Sequence, residues 1–179
     1  MELSNREAWT AIHGMILGAI FLLAFTGGLA SFWSLRPEWV TQAGLKERML
    51  RIYAGTTVMA VAAWLTVLTG TYKVYPWYRA VPPKGLSGED LRLYPKSYLL
   101  ATEGKADWHD FGMEWKEHIA WIAPLIATAV AAIVIYYGPR LAYEPRIRKL
   151  LIGLFIVAFA TAGVAGLFGA FITKAAPVQ

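Results

Sequence analysis

The chain has 179 residues, 57% of them hydrophobic, with 17 basic against 12 acidic side chains, no cysteine and a mean hydropathy of +0.44. That apolarity argues against a soluble globular class. The missing cysteines exclude disulfides, thiolate metal sites, covalently attached c-type haem and cysteine-ligated iron–sulfur clusters. The net charge of +5 forms no basic run of the kind that binds nucleic acid; it brackets apolar stretches, which is a topology signal.

A membrane-crossing helix needs roughly 20 mostly apolar residues, and four stretches meet that length, at about 9–35, 52–75, 107–137 and 150–172. The first starts behind Ser4 and Asn5, residues suited to capping, and ends near Leu35-Arg36-Pro37, where proline discourages continuation. It lacks the basic lead-in and the small-residue cleavage site of a signal peptide. The second runs into Tyr75-Pro76-Trp77-Tyr78, an aromatic cluster suited to a membrane–water interface. A long connection of about 76–107 follows, with Pro82, Pro83 and Gly85, and is expected to be an ordered loop. The third helix opens near Asp107 and is expected to bend at Pro124; the fourth ends at Thr173-Lys174. The expected fold is all-α, an integral membrane four-helix bundle forming one transmembrane domain, with both termini on the same side.

The two short connections hold eight basic residues (Arg36, Lys46, Arg48, Arg51, Arg140, Arg146, Arg148, Lys149) and three acidic ones (Glu38, Glu47, Glu144). Lys and Arg in short loops set orientation. The short loops are therefore expected in the cytoplasm, and the termini and long loop on the extracytoplasmic side of the cytoplasmic membrane.

His13, near the start of the first helix, and His118, near the start of the third, then fall at one depth on the outer side. Neutral imidazole avoids the cost of a charge in the membrane and is the form that ligates iron. Two histidines on different helices are a common way to hold haem b inside a bundle, so both are candidate axial ligands. Gly14, Gly18, Gly163, Gly166 and Gly169 leave room for a flat macrocycle or for close helix packing. Arg6, Lys105 and Lys116 are candidates for pairing with haem propionates.

His109 lies nine residues before His118, about 180° round a helix and roughly 13 Å along it, so one haem cannot use both. It is expected on the outer surface among Asp107, Asp110, Glu114 and Glu117, an acidic group suited to docking a basic partner. Asp110, Glu114 and His118 also follow at i, i+4 and i+8, an alternative metal row. It lacks the Glu-x-x-His pairs of di-iron bundles. No phosphate-binding glycine loop, nucleophile elbow or His-Glu-x-x-His motif occurs. The second and fourth helices carry threonines (Thr56, Thr57, Thr66, Thr69, Thr161) instead of charges, which argues against an ion-coupled transporter.

With His13 and His118 near one face of four apolar helices, the chain resembles the small b-type cytochrome membrane subunits of respiratory oxidoreductases, a likeness at the level of fold. The resemblance implies one b haem near the outer face. It would exchange electrons with a quinol, a soluble cytochrome or a neighbouring subunit, because a single outer haem cannot bridge a hydrocarbon core ~30 Å thick. The alternative is a cofactor-free structural or assembly subunit that packs against lipid and other membrane subunits. Neither reading makes the chain a stand-alone catalyst.

Overall fold

The computed structural model describes residues 3–177, and no strand occurs among them. Four helices are long and apolar enough to cross a membrane: α1 (Asn5–Ser34), α2 (Gln42–Tyr78), α4 (Trp108–Tyr143) and α5 (Pro145–Ala175). A short helix, α3 (Pro95–Ala101), and a 3-10 segment, Gly88–Leu93, give the long connection its own order. In the most apolar window of each long helix only 22–33% of residues are buried within the protein. Leu23 and Ile135 are 74% and 65% exposed. Apolar side chains turned outward along whole spans suit lipid rather than water, and the chain is a multi-pass membrane protein.

The helix ends follow from local chemistry. Ser4 caps α1 reciprocally with Glu7: the Glu7 N–H donates to Ser4 Oγ (3.2 Å) and the Ser4 N–H to Glu7 Oε2 (2.8 Å). α2 begins at Gln42, ten residues before the apolar stretch. The Gly44 N–H donates to Thr41 Oγ1 (3.1 Å), and Leu45, Met49 and Ile52 form a buried stripe while Lys46, Glu47 and Arg51 face out. The helix therefore continues past its apolar part as an amphipathic one. α5 likewise starts early, at Pro145, where a missing N–H costs nothing. The expected disturbance at Pro124 falls one turn before it: regular helix stops at Ile119 and resumes at Ile122. Proline cannot donate to the carbonyl four residues back and crowds it.

Contacts group the chain into two compact units, each built from segments of all four long helices. The unit of 19–64 and 122–162 is a packed apolar core around Phe32, Ile52, Met59, Val130 and Phe155. Phe25 and Phe159 stack at 4.0 Å between centroids. Gly28 makes this packing possible, since a Cβ there would lie 2.8 Å from the Phe155 ring. In lipid such contact is held by dispersion and close fit, because apolar surface gains little by leaving apolar solvent. At one end of this unit Arg48 donates to the Ser34 carbonyl (2.7 Å), and Arg148 to those of Leu35 (2.6 Å) and Ala142 (3.0 Å). Two cations thus satisfy the exposed carbonyls at the end of α1.

The other unit comprises 1–18, 65–121 and 163–179. Its core is smaller and more polar: Tyr78, Leu91, Tyr98, Leu99, Met113 and Ile172. The long connection lies in this unit, joined to it by Arg6 on the Leu93 carbonyl (3.4 Å) and by Lys105 on the Ala175 carbonyl (3.0 Å).

Candidate functional site

The polar chemistry of the chain is concentrated in the second of these units, and so are its three π-helical segments: Ile12–Ile16, Gly70–Val74 and Trp108–Met113. Such widened turns are frequent at functional positions. His13 lies in the first. Its ring rests on Gly70, which opens the second; a Cβ on Gly70 would lie 2.6 Å from His13 Cε1. His13 Nδ1 is 3.3 Å from Thr69 Oγ1. The Thr69 hydroxyl donates to the Leu65 carbonyl (2.7 Å).

His118 carries its proton on Nδ1. Its Nδ1 is 2.7 Å from the Glu114 carbonyl, which can only accept. The side chain itself is exposed. Lys116, two residues and about 200° away on the helix, points the other way. Its Nζ lies 2.9 Å from where a Gly169 Cβ would sit. His13 rests on Gly70 and Thr69, and His118 bonds to its own helix.

His109 is the reverse of its expected placement on the outer surface. It is 5% exposed, with Nδ1 2.9 Å from the Tyr78 hydroxyl. His118 on the same long helix is exposed. The ordered long connection covers His109, with Leu91, Tyr98 and Leu99 in the same cluster as Tyr78.

The acidic group is also divided. Asp107 and Asp110 are exposed. Glu117 accepts from the Tyr75 hydroxyl (2.7 Å) and pairs with Arg79 (3.1 Å); Glu114 pairs with the same guanidinium at 3.2 Å. Burial weighs most against the charge on Arg79, but Glu117, Tyr75 and Glu114 together outweigh it and hold the group above the ordinary arginine pKa. Glu114 and Glu117 are thus paired within the chain, while Asp107 and Asp110 are not buried. Among the described residues no three His, Asp or Glu side chains gather as a metal site, so Asp110, Glu114 and His118 do not form one.

Of the cations expected to pair with propionates, Arg6 and Lys105 bond to backbone carbonyls and Lys116 packs on Gly169. Gly14, Gly18, Gly163 and Gly166 have open space where a side chain would be. Sequence reasoning missed Tyr75, Tyr78 and Arg79 as polar partners. Their aromatic cluster carried an interface signal, and the adjoining arginine was the available clue.

For haem, His13 and His118 are each nitrogen donors on long apolar helices, the donor type such a group needs. His118 gives its Nδ1–H to a backbone carbonyl, the arrangement that metal-ligating histidines use. No protein-family model matches the chain, and neither a curated protein nor a solved structure does.

Proposed function

We propose that this chain is a structural subunit of a membrane complex, with both termini and the 79–107 segment on the extracytoplasmic side. The observation that supports this is the internal use of its reactive side chains. His109 is bound to Tyr78, Glu117 to Tyr75 and Arg79, and Lys105 to Tyr98 and Ala175. A catalytic or transport site would leave such groups converging on a substrate. Here they bond the end of α2 to α4 and the long connection to α5, a rigid surface that a neighbouring subunit can pack against.

The test is purification of the tagged chain from its own membranes in mild detergent. A colourless preparation migrating well above the 19.8 kDa of one chain is the expected result. Stoichiometric b-type absorption overturns it in favour of the second reading.

That second reading is electron transfer through one b haem, and the Nδ1–H tautomer of His118 favours it. A haem would supply one-electron chemistry; this chain would supply an imidazole nitrogen held in ligating form. Since His118 faces outward, its share of such a site would lie at the surface, against a neighbouring subunit or a second copy of the chain.

A further inference from the structure

A cavity of about 390 Å³ opens between the last turns of α1 and the first turns of α2, within the 19–64 and 122–162 unit. Ser31 and Ser34 of α1 line it, with Gly44, Glu47, Arg48 and Arg51 of α2. Three independent observations bear on what it takes.

The first is charge. The connection around it carries Arg36, Lys46, Arg48 and Arg51 against Glu38 and Glu47. Each arginine has five N–H donors. Arg48 uses one on the Ser34 carbonyl, and Arg51 pairs through Nη2 with Glu47. Donors remain on both guanidinium groups, and the positive end of the α2 dipole lies alongside.

The second is depth. The Arg36 guanidinium lies 5.4 Å from the Trp33 ring and 4.6 Å from that of Trp39, both tryptophans being more than half exposed. Exposed tryptophan and arginine at the end of an apolar span mark the headgroup level of a bilayer. The third is a path for acyl chain. Leu23, Gly27 and Ala30 are exposed on α1 at helical spacing, and Ala30 leads into the cavity wall.

The geometry points to a binding site for the phosphodiester headgroup of an anionic phospholipid, held by Arg48 and Arg51, with an acyl chain along the Leu23–Ala30 stripe. Bidentate arginine suits phosphate oxygens, and basic pockets between membrane helices take such headgroups. Glu47 competes for Arg51 and sets the affinity.

The experiment titrates the delipidated full chain in detergent with short-chain phosphatidylglycerol, followed by native mass spectrometry. One saturable adduct is expected. Arg51→Gln weakens it about fivefold, the effect of one basic residue at a membrane surface. Glu47→Gln tightens it by releasing Arg51. Arg140→Gln, a basic exposed residue outside the cavity, leaves it unchanged. Arg51 is exposed, so an unchanged melting temperature confirms the fold of that variant. Equal binding of phosphatidylcholine overturns the site, as does an Arg140→Gln loss equal to that of Arg51→Gln. Displacement by millimolar inorganic phosphate overturns the lipid assignment.

Discussion

The Tyr78 hydroxyl and His109 Nδ1 share one hydrogen bond of 2.9 Å, linking the last turn of α2 to the π-helical start of α4 beneath the long connection. Both side chains are buried. Tyr78→Phe removes one partner and leaves the other without a hydrogen bond, at a cost of about 1–3 kcal/mol. The loss should be local. Limited proteolysis is expected to cut within 79–107 faster in the variant, with cleavage elsewhere unchanged. Equal cleavage in both proteins would show that the bond does not hold the connection down.

His13 and Gly70 offer a second, more stringent test. Gly70→Ala places a methyl where the imidazole lies, and overpacking of this kind costs about 1–3 kcal/mol. His13→Ala alone leaves a gap and loses the bond to Thr69. The double variant should be more stable than Gly70→Ala, because its clash is gone. Thermal melting in detergent measures the cycle; simple additivity would mean that the two residues do not touch.

The four spans were legible in the sequence because length and apolarity suffice to mark them. The start of α1 was legible because serine is a capping residue, and Ser4 takes that place. The early start of α2 was not. Its first ten residues are helical by an amphipathic stripe of Leu45, Met49 and Ile52, which a search for continuous apolarity passes over. The rotation of α4 was harder still. Spacing establishes that His109 and His118 oppose each other but not which faces inward. That choice rests on partners far away in sequence: Tyr78 for His109, and Gly169 for Lys116. A π-helical turn at Trp108–Met113 also breaks the 100° step on which such counting depends. The pairing of Glu114 and Glu117 with Arg79 spans 35 and 38 residues, beyond any local rule.

Orientation is testable because the chain has no cysteine of its own. Asp90 is exposed in the long connection, so Asp90→Cys provides a single reporter. With Lys and Arg dense in the short loops, the positive-inside rule puts position 90 on the extracytoplasmic side. An impermeant maleimide should label it on intact cells. Labelling only after the membrane is breached would invert the topology, while leaving every contact described above in place.

The three histidines decide between the structural and the electron-transfer readings. For a structural subunit, none of His13→Ala, His109→Ala and His118→Ala changes the visible spectrum, because the preparation is colourless. Their effects fall on stability alone. His109→Ala should cost most, about 1–3 kcal/mol, for the buried Tyr78 hydroxyl left without a partner. His118→Ala should cost little, since the ring is exposed and its bond is to its own helix. If the protein carries haem, the order inverts. His118→Ala then removes the haem or turns a low-spin spectrum high-spin by loss of an axial ligand, while His109→Ala leaves it intact. A protein whose colour depends on both His13 and His118 would require the α4 helix to present His118 inward, and would overturn the rotation described here.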